Sequence, residues 1–305
     1  MPIMAAVVLL TMVGAAWPVL FWDGSALGKN LEKRLWVDAV DDRAVAATME
    51  AELFGEEPAT EEVSTYDPKP LINTVRIADK SSAILCILLA AALPFLIRWK
   101  PKTAWLYLLP SCWLLLNAYA VASNGGKAHA ELAIPAHATR WMLPIALALL
   151  TVMTAKSKPV ANWLLRIACA CTFAIHGWEA FQLHPAFQDL IFVSAGLIGI
   201  EPSTETIHFL LRCIGIMDML LALSVLLIHS PKILYWMCFW GLITAMSRPL
   251  SMGLDTWPEL AIRLANGAAP WLLIALGAPA LITLKKPNPQ LTESSSNPSP
   301  VSIDS

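Results

Sequence analysis

Long apolar runs separated by short polar breaks dominate the chain. A helix needs about 17 to 25 such residues to cross a bilayer, and runs of roughly that order cover 3–22, 81–99, 103–123, 141–155, 160–183, 207–228, 232–249 and 263–284. The fourth is short and reaches a full crossing only by extending back into the preceding loop. The pattern predicts an all-α polytopic membrane bundle of about eight transmembrane helices, with a small acidic extracytoplasmic segment between the first two. The lipid bilayer is its first partner.

Charge in the short loops orients the bundle, because Lys and Arg near span ends stay cytoplasmic. Arg98, Lys100 and Lys102 follow span two, Lys156 and Lys158 follow span four, Lys232 precedes span seven, and Lys285 and Lys286 follow span eight. The alternate loops carry Glu131, Asp189, Glu201, Glu205, Asp255 and Glu259. Both termini are therefore expected in the cytoplasm of a cell with an inner (plasma) membrane. Lys127 and Arg140 run against the pattern. Trp22, Trp99, Trp105, Trp141, Trp163 and Trp257 stand at expected span ends, as interfacial belts require. The first span reads as an uncleaved anchor (1–22): Gly14, Ala15 and Ala16 resemble a signal cleavage region, but Met-Pro-Ile-Met lacks the basic start of a signal.

Segment 23–80 is hydrophilic and net acidic, with 13 acidic and 7 basic residues. Ser25 is placed to cap a helix whose Leu27, Leu31, Leu35 and Ala39 recur every four residues. Residues 55–70 read as an acidic, proline-punctuated linker. Three spans follow in 81–155 and four in 156–284. The loop stretch AFQDLIFVSAGLIGI (186–200) is apolar but short, bounded by Pro185 and Pro202, and reads as an interfacial or re-entrant helix. The Ser- and Pro-rich 285–305 reads as a disordered cytoplasmic tail.

Composition agrees: 57% hydrophobic and 14% charged residues, with a mean hydropathy of +0.59, belong to a chain whose solvent is lipid. A net charge of −2 without a basic stripe argues against nucleic acid as a partner. All six cysteines fall in apolar runs, so a disulfide framework is not expected. His129, His137, His184 and His208 lack metal-site spacing, and no Ser-His-Asp, nucleotide or haem signature is legible.

Ionisable residues inside the last four spans are the strongest functional signal, since membrane helices carry them only at a cost. Counted along ideal helices, His176, Arg212 and Arg248 lie about 24 Å from the cytoplasmic end, with Glu179 one turn further out. With Arg263 they form a candidate polar pocket. His176 and Glu179 share a helix face, the arginines suit an anion or a polar head group, and His176 suits proton exchange. Phe209, Leu210 and Phe239 offer an apolar slot. Arg166 and Asp218 form a candidate buried ion pair, about 6 Å apart in depth. The other reading of the same charges is a structural network that fixes helix register.

The runs LLRIACACTFAIHGWEA (164–180), LLRCIGIMDMLLAL (210–223) and FWGLITAMSRPLSMG (239–253) resemble the DoxX-like membrane proteins, over about 160–284. The resemblance implies a four-helix membrane module and a role beside quinone-linked redox chemistry, with quinone as the cofactor and a membrane redox protein as partner. The ending His-Gly-Trp-Glu departs from the more basic ending expected there. A non-enzymatic scaffold whose outer segment or tail recruits a partner is the alternative. A small-solute transporter is a third reading, compatible with Pro94, Pro110, Pro144 and Pro270, though no inverted repeat is visible.

Overall fold

The structure is a computed structural model that describes residues 2–39, 69–126, 128–152, 157–228 and 230–277. Within them every regular element is helical. Ten α-helices of more than one turn follow in order: α1 (Pro2–Phe21), α2 (Ala26–Ala39), α3 (Lys69–Trp99), α4 (Leu108–Asn124), α5 (Ala138–Val152), α6 (Ser157–Phe181), α7 (Pro185–Gly196), α8 (Thr204–Leu227), α9 (Pro231–Met252) and α10 (Trp257–Leu276). The chain is thus an all-α, multi-spanning membrane protein.

Seven stretches among the described residues are both long and apolar enough to cross a bilayer: α1, α3, Pro101–Asn124 ending in α4, Ala130–Val152 ending in α5, α6, α8 and Leu254–Leu276 ending in α10. The expected eighth, over 232–249, is α9. Its 22 residues give the length of a crossing, but Lys232, Tyr235, Ser247, Arg248 and Pro249 dilute its apolar content. Three boundaries also shift. Span four does run back into the preceding loop, to Ala130. Span two begins at Lys69, so residues 69–80 belong to a 31-residue helix and not to the hydrophilic segment. Span eight begins at Trp257, which puts Arg263 almost two turns inside its helix. Most of the linker at 55–70, and the tail at 285–305, lie outside the described residues.

Glycines set how the helices cross. Lipid gives helices no hydrophobic reason to associate, so close backbone approach at small residues carries much of the packing. A Cβ added to Gly14 of α1 would come within 2.7 Å of the α10 backbone at Pro258 and Ile262. Gly177 of α6 faces Gly215 of α8, and Gly241 of α9 faces Asn266 of α10. The α6–α8 and α9–α10 pairs are accordingly the most intimate contacts, whereas α8 and α9 barely touch. One contiguous core joins α1, α3, α5, α6 and α10 through Met12, Leu93, Leu143, Leu165 and Leu273. Ile84, Leu88 and Phe95 of α3 stay exposed, as lipid-facing positions do.

Helix α2 is where Ser25 predicts it. Ser25 Oγ accepts from Gly28 N at 2.8 Å, which caps the helix. The same hydroxyl donates to Asp79 Oδ2 at 2.6 Å, and Trp113 Nε1 donates to Asp79 Oδ1 at 2.8 Å. One buried carboxylate on α3 thereby pins both α2 and α4. Arg76 pairs with Glu32 at 2.9 Å, and Lys33 Nζ donates to the Asn124 carbonyl at 2.9 Å. Side chains beyond Arg34 in α2, and residues 40–68, lie outside the described part. The short loop helix expected over 186–200 is α7, and it packs against α8 and α9 at the end of the bundle that also carries α2. We refer to this as the cap end.

Candidate functional site

A cavity of about 410 Å³ lies between the α6–α8 and α9–α10 pairs, beneath α7. It exists because α8 and α9 stand apart while each is held tightly to its own partner. Helix periodicity selects the lining. Leu211, Ile214 and Asp218 form an i, i+3, i+7 stripe on α8, and Phe173, His176 and Ala180 form a matching stripe on α6. Phe187 and Ile191 of α7 cover it from the cap end. Ile243, 42% exposed, and Ile198, 73% exposed, mark where it opens.

The walls are mostly apolar, and the ionisable groups are concentrated. His176 Nδ1 lies 3.0 Å from Glu179 Oε2, the i, i+3 contact expected from their spacing. Arg248 holds its guanidinium carbon 6.0 Å from the centroid of the Phe187 ring, within cation–π range, and His176 meets that ring edge-on at 6.3 Å. Arg263 Nη1 donates to Glu259 one turn earlier on the same helix. His176, Arg248 and Arg263 line the cavity; Glu179 stands behind His176.

Helix α7 is fixed in place at its first turn. His184 accepts from Ala186 N at Nδ1 (3.1 Å), which leaves Nε2 to donate to the Ala128 carbonyl at 3.2 Å. Gln188 Nε2 donates to the Leu183 carbonyl at 2.6 Å, and Gln188 Oε1 lies 3.1 Å from His208 Nε2 on α8. Phe187 therefore presents its ring from a supported position.

Two expected placements differ. Arg212 is exposed on α8 and does not line the cavity, because it sits about 100° around the helix from Leu211. The apolar slot is not built by Phe209, Leu210 and Phe239, which point outward at 67%, 42% and 52% exposure. Phe173, Ile191, Leu211 and Ile214 supply it instead.

Arg166 and Asp218 take separate surroundings. Arg166 Nε donates to Asn162 Oδ1 at 2.9 Å, and Nη1 donates to the Val225 carbonyl. The reason is register. With Gly177 against Gly215, the antiparallel run of α6 and α8 brings position 166 opposite 225, while Asp218 comes opposite Gly177 and faces the cavity.

Four further residues join the site in three dimensions. Thr139 Oγ1 donates to Asn266 Oδ1 at 2.7 Å, and Thr172 Oγ1 accepts from Thr139 N at 3.2 Å, tying α5, α10 and α6 into one polar layer. Arg140, next in sequence, is buried on α5 within electrostatic range of Glu179, Glu259 and Arg263. Its departure from the loop-charge pattern was the signal in the sequence: it is a membrane-helix residue and not a loop cation. Arg140, Arg248 and Arg263 against Glu179 and Glu259 leave this end of the cavity one positive charge in excess when His176 is neutral. Such a layer attracts carbonyl, phenolate or carboxylate oxygens.

Among the described residues no cluster of His, Cys, Asp and Glu has the makings of a metal site. Comparisons with protein-family models, curated proteins and solved structures return no match.

Proposed function

We propose that this protein holds the polar head of a lipophilic small molecule of the quinone type, as part of a membrane redox system. One observation carries the reading: an apolar cavity of head-group size has ionisable walls and an opening beside the little-touching helices α8 and α9. Ligand pockets of about 300–1,000 Å³ with few, convergent polar groups are the usual form of such sites. A lipophile reaches this opening from the bilayer, its tail leaves between α8 and α9, and Arg248 and His176 meet its oxygens. A membrane partner protein supplies or removes electrons. The likeness of residues 160–284 to the DoxX-like proteins points the same way. On this reading the cap end is extracytoplasmic and both termini are cytoplasmic.

The second reading is a scaffold whose charges are structural, and the internal pairing of Arg263 with Glu259 and of His176 with Glu179 favours it. The two separate on extraction of gently solubilised protein followed by mass spectrometry. Retention of a quinone by wild type and its loss in well-folded Arg248→Gln supports the site. Equal lipid content in both proteins, with reduced abundance of the variant, supports the scaffold.

A further inference from the structure

Two buried groups on the inner wall of the cavity lack hydrogen-bond partners, and they are complementary. With its carboxylate ionised, Asp218 Oδ1 on α8 is an acceptor, and Trp240 Nε1 on α9 is a donor; among the described residues neither has a hydrogen-bond partner, and both residues line the cavity. Asp218 is 6% exposed. The indole approaches the carboxylate without meeting hydrogen-bond geometry, so each remains available to a third group. Gly177 leaves room for this arrangement: a Cβ there would come within 3.0 Å of Asp218 Cβ.

Buried polar groups without partners are costly, so an occupant that satisfies both is favoured over one that satisfies one. A carbonyl oxygen only accepts. It would take the Trp240 hydrogen bond and leave Asp218 Oδ1 unpaired. A hydroxyl accepts and donates through the same oxygen and satisfies both. We infer that the cavity selects a hydroxyl-bearing head group over its carbonyl counterpart, the hydroxyl donating to Asp218 Oδ1 and accepting from Trp240 Nε1. The inference rests on the reading of the cavity as a lipophile site. Its occupant is a ring hydroxyl, as in a hydroquinone, or the alcohol of a glycerolipid; both present the same donor and acceptor.

The test is anaerobic equilibrium binding to full-length protein in lipid nanodiscs. The probes are a short-chain benzoquinone, its hydroquinone and a monoacylglycerol of matched chain length. Wild type is expected to bind the hydroquinone about tenfold tighter than the quinone, the effect of one buried hydrogen bond. Asp218→Asn, which offers a donor as well as an acceptor, brings the ratio close to one. Trp240→Phe removes the indole donor to the carbonyl, leaves the Asp218 acceptor for the hydroxyl, and raises the ratio. Should Asp218→Asn fail to fold, the Trp240→Phe ratio carries the test. Monoacylglycerol competing as well as hydroquinone supports hydroxyl selection and names a lipid alcohol as its source; hydroquinone alone binding supports the ring hydroxyl. Equal affinity for the two ring forms, or a ratio that neither variant moves, overturns the inference and assigns the pair to water or to each other. Failure of every probe to bind overturns the lipophile reading beneath it.

Discussion

Gly177 and Gly215 meet backbone to backbone where α6 crosses α8. A Cβ on Gly215 would lie 2.6 Å from the Gly177 carbonyl oxygen, and one on Gly177 would lie 2.8 Å from the Gly215 carbonyl oxygen. Neither backbone has a flexible side chain to move aside. Gly215→Ala is therefore expected to destabilise by about 1–3 kcal/mol, the usual cost of overpacking. Thermal unfolding in detergent checks this, with Gly196→Ala as the control, since a Cβ there meets nothing within 4 Å. An unchanged midpoint for Gly215→Ala would show that the crossing is looser than described.

The Asp79 carboxylate serves two helices at once. Asp79→Ala removes the partner of Ser25 and that of Trp113, each loss costing about 1–3 kcal/mol where the donor stays buried. Faster hydrogen exchange over 26–34 is the expected result, with the core of α6 and α10 unaffected. Asp23→Asn makes a contrast: its 3.5 Å pairing with Lys80 is exposed and contributes little.

Two arginines expected to act together are separated by the structure. Arg248→Gln is expected to weaken retention of a bound lipophile about tenfold through loss of a charged donor, and Arg212→Gln to leave it unchanged. Quantifying the extracted ligand per mole of folded protein decides the matter. A larger loss in Arg212→Gln would place the ligand outside the cavity.

Thr139→Val keeps the volume of the side chain and deletes the donor to Asn266. The expected cost is about 1–3 kcal/mol, together with altered binding because Asn266 lines the cavity. Thr151→Val, which loses only a bond to the Leu147 carbonyl of its own helix, is the milder comparison.

What was legible in the sequence was what a single helix determines. Ser25 capping α2, the shared face of His176 and Glu179, and the short helix between Pro185 and Pro202 all follow from spacing within one element. The separation of Arg166 from Asp218 was not legible, because depth counted from assumed span ends carries errors of a turn or more, while true register comes from the Gly177–Gly215 contact. Arg212 was misplaced for a related cause: a charge in an apolar run announces cost but not direction. Asp79 was hidden at the edge of an apolar run, flanked by Arg76 and Lys80, where nothing in the spacing distinguishes a buried carboxylate from one paired at the surface.

Proline gives the polar layer one further property. Pro270 has no N–H to offer the Asn266 carbonyl four residues earlier, and Pro144 has none for that of Arg140. The Asn266 carbonyl oxygen instead faces Gly241 of α9, where a Cβ would come within 2.8 Å of it. Restoring the rung with Pro270→Ala is expected to slow ligand exchange without loss of affinity, measurable by stopped-flow displacement. The α10 wall of the cavity thus has a missing rung at Asn266, and α5, which packs behind it, has one at Arg140, so the cavity can widen by bending of α10 at the level of its own polar residue.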